Sequence, residues 1–289
     1  TYTDTVLRIN KEEDLGLEFV ADIGMFINPH LNGVPKLPKY LEGLEYDDAK
    51  VILSLSNLYR EFLKLPGADK VKYVFQHFEN ADASLKGRAE DRPRVQKLLK
   101  ESFKAIKEVR PDIKTGVCIQ SYKKPHWPEQ MIKQWNLEID TDVVPIISFS
   151  PNHFRLEHDS SETLEEFERV AKLAKGKPIA LNEWWFHSSS HGKSSNEKQS
   201  EFVRQVFALL KKHHQKIEFA TWYEYSDIDP FRANIIGVYL AAVTGNPMMA
   251  LWFNNVMGSC GLFTHKDKLK PAGKTWCNEA SSYYKFRTP

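Results

Sequence analysis

Three cysteines in 289 residues, Cys118, Cys260 and Cys277, are too few and too widely spaced to form a disulfide framework or a metal-ligand cluster. Cys118 stands in an apolar run and reads as a small buried residue. Cys260 and Cys277 read as free thiols, with a bridge between them as the alternative. The chain also lacks an apolar run approaching the roughly 20 residues that a membrane-spanning helix needs. No glycine-rich loop joins a strand to a helix, so the usual cradle for nucleotide phosphates is missing. Charge of one sign is not in excess either. Forty Lys and Arg face 38 Asp and Glu, for a net charge of +2, so nucleic acid is not an expected partner. Linkers and low-complexity segments are absent, and a single domain over residues 1–289 is the expectation. The first residue is Thr1, with no signal-like segment behind it. If that start is a processed one, a secreted or periplasmic location is favoured.

What the chain does have is a regular alternation. Short β-rich runs at Leu17–Phe26, Val71–Phe78, Thr115–Gln120, Val143–Phe149, Pro178–Glu183 and Ile217–Tyr225 are separated by helical patterns, and Thr5–Ile9 is a poor further candidate. The helical stripes are Ala49–Leu63; Val95, Leu98, Leu99, Phe103, Ile106 and Val109; Met131–Trp135; Leu164, Phe167, Val170 and Ala174; and Phe202, Val203, Val206, Phe207 and Leu210. Ser194 and Glu197 have capping-box spacing ahead of the last stripe. Parallel strands need crossovers, and the interval between strands suits a (β/α)8 barrel of the TIM type, incomplete or irregular at its N-terminus. A doubly wound open sheet is the fallback. Phe231–Ser259, apolar and interrupted by glycine, reads as a helical excursion after the last strand.

In such a barrel the chemistry sits at the C-terminal ends of the strands. One end carries Gln76-His77-Phe78-Glu79-Asn80, another Ser148–His153. A third is Asn182-Glu183-Trp184-Trp185 and a fourth Trp222-Tyr223-Glu224-Tyr225-Ser226-Asp227. A carboxylate placed abruptly after the apolar run Ile179-Ala180-Leu181 and followed by three aromatic rings suits an enzyme that handles sugars. Glycosidic-bond cleavage needs two carboxylates on one cavity, one to protonate the leaving oxygen and one to attack or to activate water. Glu79 and Glu183 are the chosen pair, with Glu224 as a third candidate. Asn80, His77, His153, Trp184, Trp222, Tyr223 and Trp127 are candidate sugar contacts. Trp127 lies in a Lys-Lys-Pro-His-Trp-Pro loop and is placed as a platform for a distal sugar. His187 and His191, in a serine-rich loop, read as solvated, whereas His213 and His214 belong to a helix C-terminus. The expected partner is a carbohydrate. No metal or organic cofactor is implied, and no feature speaks to the oligomeric state.

These residues in this order resemble the clan A glycoside hydrolases. Lys177–Phe186 followed by Glu197–Val203 looks like that group's seventh strand and helix, and Ile217–Asp227 like its eighth strand. Gly261-Leu262-Phe263 with Lys270-Pro271-Ala272 and Trp276 looks like its closing region. The resemblance implies a (β/α)8 barrel, a retaining mechanism and a nucleophile role for Glu183. The fourth strand departs from the pattern. The acid/base glutamate there usually stands within Asn-Glu, whereas this chain has Glu79-Asn80 in inverted order. Either Glu79 donates the proton with its pKa raised, or the protein binds glycan without cleaving it.

Overall fold

The computed structural model describes residues 18–24, 37–77, 91–120, 127–147 and 161–287. The contacts group into two compact units, Thr1–Ile119 with Gln130–Pro145, and Gln120–Glu129 with Ile146–Pro289. Thr5–Ile9, Glu79, Asn80 and His153 lie outside the described residues.

In the first unit, β1 (Phe19–Gly24), β2 (Val71–His77) and β3 (Lys114–Val117) form a parallel sheet with β2 at its centre. Helices α1 (Ala49–Phe62) and α2 (Asp91–Val109) pack on one another. The Asp48 carboxylate accepts the Lys50 N–H and caps α1. Val51, Leu55 and Tyr59, four residues apart, form its buried face. The expected α2 stripe is buried from Val95 to Ile106, but Val109 at the helix end is exposed. Tyr59 is fully buried, and its hydroxyl donates to Gln76 Oε1 at 2.8 Å, joining α1 to β2. Burial, followed by the charge of Asp22, pushes the Tyr59 pKa far up, so the phenol stays a neutral donor. Tyr59→Phe is expected to lower the unfolding free energy by about 1 kcal/mol, the net worth of a buried neutral hydrogen bond. Urea midpoints compare the two proteins, and an unchanged midpoint counts against this bond.

The single strand expected over Thr115–Gln120 is two, β3 and β4 (Ile119–Gln120), divided at Cys118, whose N–H donates to Gln76 O. Side chains complete the outer edge of β3, beside the Asp142 and Val143 N–H groups that donate to Thr115 O. Asn136 accepts the Val117 N–H and donates to the Val117 carbonyl, both at 3.1 Å, so a side-chain amide takes the place of a neighbouring strand. Asp142 likewise accepts the Thr115 N–H. Asn136 sits in a π-helical turn, Lys133–Leu137, that follows α3 (Trp127–Ile132). Trp127 therefore opens a helix rather than lying in a loop.

In the second sheet the order is β4, β5 (Val144–Ile147), β6 (Ile179–Trp184) and β7 (Ile217–Trp222), with β6 and β7 parallel. Helix α4 (Ser161–Leu173) precedes β6, and α5 (Asn196–Lys212) links β6 to β7. The N-cap of α5 is Ser195, whose hydroxyl accepts the Lys198 N–H. The expected Ser194–Glu197 box does not form, because Lys198 stands three residues after the N-cap, and the Ser194 hydroxyl donates instead to the His187 carbonyl. His213 ends α5, with its ring nitrogen 2.9 Å from Glu168. The expected excursion is a pair of packed helices, α6 (Pro230–Thr244) and α7 (Met248–Asn255). Asp229 caps α6 and Gly245, with φ of 66°, ends it. α8 (Pro271–Arg287) packs on α5 through Phe207, Trp276 and Tyr283. All three cysteines are free. Cys260 is fully buried and Cys277 is exposed, so the alternative of a bridge between them is discarded. No helix among the described residues is long and apolar enough to cross a membrane.

Candidate active site

Glu183 is the next-to-last residue of β6, and the ladder there is irregular. Leu181 pairs with Ala220 and Trp184 with Trp222, so Asn182 and Glu183 together lie opposite Thr221 alone. That is a β-bulge, which locally changes the aim of side chains. Strict alternation puts Asn182 and Trp184 on one face and Glu183 on the other; the bulge loosens this rule where the sequence turns from apolar to polar. Leu181 and Trp184 are fully buried, while Asn182 and Glu183 are half-buried. The Thr221 hydroxyl donates to the Asn182 carbonyl. Beyond the bulge the ladder resumes, with the Tyr223 N–H donating to Trp184 O at 2.8 Å.

Trp184 and Trp222 are cross-strand partners, and both turn toward the helical layer. Trp184 packs on Phe202 of α5 and has no exposed surface. Trp222 lies edge-on to Phe202 and to Trp276 of α8, and its indole N–H donates to Cys260 O at 2.8 Å. Trp184 thus has no exposed face to offer a sugar, while Trp222 stays partly exposed, and both rings brace α5, with Trp222 also against α8. The next residue, Tyr223, is 40% exposed and supplies an open aromatic face at the same strand end. Glu224 follows, half-buried, and burial raises its carboxyl pKa. His77 ends β2, as expected from its place in the sequence.

His187 departs from its expected place. It is fully buried, stacked on Phe186 with ring planes 8° apart, and not solvated. Gly192 makes the room, since a Cβ there would collide with the imidazole. His191 is exposed, as expected.

A network that the sequence did not reveal fixes the backbone around these strand ends. Gln199, in the first turn of α5, is fully buried, and its amide donates to Phe186 O at 2.7 Å, with Cys260 O and Gly261 O each at 3.3 Å. Asp227 accepts from the Gly261 N–H and from Lys270 Nζ, both at 2.9 Å; Lys270 also donates to Ser259 O. Burial raises the Asp227 carboxyl pKa, and the hydrogen bond and charge of Lys270 offset only part of that rise. Gly261 lies so close to the Ser226–Asp227 backbone that no Cβ fits. Among its neighbours in sequence Gln199 reads as one more polar residue on a lysine- and serine-rich helix start; only its tertiary place shows that it is inside. Trp185, two residues beyond Glu183, packs with Val256, Met257 and Cys260 and against Trp252 of α7.

The raised pKa of Glu224 sets a pH dependence with a definite sign. Folding favours its protonated form, so that stability is fully present below the unfolded glutamate pKa of about 4.3 and is lost as pH rises through the folded value. Glu224→Gln, which cannot ionise, is expected to melt at a higher temperature than the parent at pH 7, with no such gain near pH 3.5. Melting curves at the two pH values test it, and an equal difference at both would remove burial of the charge as the cause.

No family model matches the chain, and no curated protein matches it. Solved structures do. The GH53 catalytic domain of Ignisphaera aggregans superposes with a TM-score of 0.64 at 17% identity, covering 95% of this chain and 76% of the other. Xylanase 10B from Thermotoga maritima gives 0.61 at 14% identity, covering 98% and 80%. A GH5_18 protein from Streptomyces cattleya, solved in complex with Manβ1-4GlcNAc, gives 0.64 at 16% identity, covering 99% and 67%. The structural neighbours are thus clan A glycoside hydrolases, and the likeness is one of fold, that of the TIM barrel.

Proposed function

We propose that the chain is a glycoside hydrolase that cleaves a β-linked oligo- or polysaccharide with retention of configuration. It would do so as a single barrel domain over residues 1–289. Glu183 is its nucleophile and Glu79 its acid/base. Tyr223 stacks on a sugar ring, Glu224 borders the cleft, and Asn80, His77, His153 and Trp127 contact substrate. The observation that carries this reading is Glu183 itself, half-buried on a bulge at the C-terminal end of β6 and flanked at the end of β7 by Tyr223 and Glu224. The position is where barrel enzymes keep their chemistry. Neighbours that are xylanases, or that were solved with a β1-4-linked disaccharide, support the β linkage.

Two carboxylates suffice for the reaction. Glu183 attacks the anomeric carbon while Glu79 protonates the departing oxygen, leaving a glycosyl ester on Glu183. Glu79 then deprotonates the water that hydrolyses this ester. The test is hydrolysis of a panel of aryl β-glycosides, xylan and mannan, with the first-formed anomer read by proton NMR. Retention, with a β product first, supports the proposal; an α product first overturns the mechanism. Glu79→Ala is expected to keep activity on dinitrophenyl glycosides, which need no proton donor, and to lose it on poor leaving groups.

One observation favours a second reading. The inverted Glu79-Asn80 order suits a barrel that has lost normal acid catalysis and binds glycan without hydrolysing it. Measurable glycan binding with no turnover on any substrate of the panel selects that reading.

A further inference from the structure

A nucleophile must be held to within a fraction of an ångström, because a misplacement of about 1 Å costs about 100-fold in rate. Glu183 stands where the ladder between β6 and β7 has been interrupted, so that ladder alone does not fix its aim. The backbone around it is fastened at three successive points. Before Glu183, the Thr221 hydroxyl donates to the Asn182 carbonyl. After it, the Tyr223 N–H donates to the Trp184 carbonyl. Two residues on, the Gln199 amide holds Phe186 O. The second fastening is an ordinary strand bond and the third acts at a distance of three residues. The first holds the peptide group from which the Glu183 Cα departs.

We infer that Thr221 is a positioning residue for the Glu183 carboxylate, a reading that rests on the nucleophile role proposed for Glu183. Thr221 is the single β7 residue opposite the bulge. Its hydroxyl does for Asn182 what a ladder N–H does elsewhere on the strand, and it sets the peptide plane that orients the side chain of Glu183. A β-branched residue keeps the strand, so the methyl and the backbone of Thr221 serve the fold while the hydroxyl serves the site.

Thr221→Val and Thr221→Ser separate the two. Valine preserves shape and strand preference but not the hydroxyl, and serine the reverse. Thr221→Val is expected to lower kcat about 30- to 100-fold with KM unchanged. Thr221→Ser is expected to stay within about threefold of the parent, as a conserved hydroxyl implies. A valine variant as active as the parent, or a serine variant as slow as the valine one, overturns the inference. Amide hydrogen exchange over residues 181–186, measured without substrate, keeps the question apart from the reaction. Faster exchange in Thr221→Val than in the parent and in Thr221→Ser is expected, and equal exchange in all three overturns it. If the parent hydrolyses nothing, the nucleophile reading falls, and the exchange comparison still decides whether Thr221 holds the bulge.

Discussion

Glu183→Gln is expected to reduce turnover of an aryl β-glycoside by about 10⁴-fold or more, the scale on which loss of an essential nucleophile is felt. Glutamine has the shape of glutamate and keeps one hydrogen-bonding oxygen, but its amide does not attack an anomeric carbon. Glu183 is half-buried at a strand end rather than in the core, so the exchange leaves the melting temperature nearly unchanged. Glycan affinity, followed by titration on the inactive variant, should remain within a few-fold of that of the parent, since recognition falls to other residues. The combination is what identifies a nucleophile: turnover gone, fold and binding kept. A Glu183→Gln protein within about tenfold of parental activity removes Glu183 from the chemistry and directs attention to Glu224, a further carboxylate at these strand ends.

Trp184→Ala is expected to have the largest effect on stability, about 3–5 kcal/mol, the usual cost of emptying a tryptophan-sized site in a core. Trp184 has no exposed surface, rests on Phe202 and is paired in register with Trp222, so its loss leaves a cavity between β6 and α5 that neighbouring rings fill only in part. Chemical denaturation measures the loss. Under conditions where the variant remains folded, its affinity for glycan should be close to the parental value. Tyr223→Ala should do the opposite, weakening binding while sparing stability, because its ring is exposed. If Trp184→Ala instead weakened binding and left stability intact, the assignment of this indole to the helical layer would be wrong.

Much of the second unit was legible in the sequence. The apolar runs at Pro178–Glu183 and Ile217–Tyr225 are strands within a few residues, the stripe from Phe202 to Leu210 is buried, and Phe231–Ser259 is helical. These readings worked because burial imposes a period that residue types record directly. The division of Thr115–Gln120 at Cys118 left no such record, since Cys118 is itself a small apolar residue with apolar neighbours on both sides. The packing of Trp184 and Trp222 on the helices left no record for a related reason. Aromatic residues after a strand fit a sugar platform or a helix seam equally well, and only the register of a bulge decides which face they take. His187 was misread because serine-rich surroundings suggest water, whereas the room that Gly192 provides for its ring is a tertiary fact. Gln199 shows the same limit from the polar side: one buried amide has no periodicity to announce it.

The extra residue at Asn182-Glu183 gives β6 two independent reading frames. The strand body, Ile179–Leu181, is buried and so is Trp184 beyond the joint, while Asn182 and Glu183 between them are half-buried; the extra residue lets the strand leave the core and return to it. Removing Asn182 would restore strict alternation, with Glu183 alone opposite Thr221 and Trp184 still paired with Trp222, so the change falls on the carboxylate and leaves the indole in place. The joint is thus an adjustment that acts on one side chain, with the threonine opposite as its counterpart.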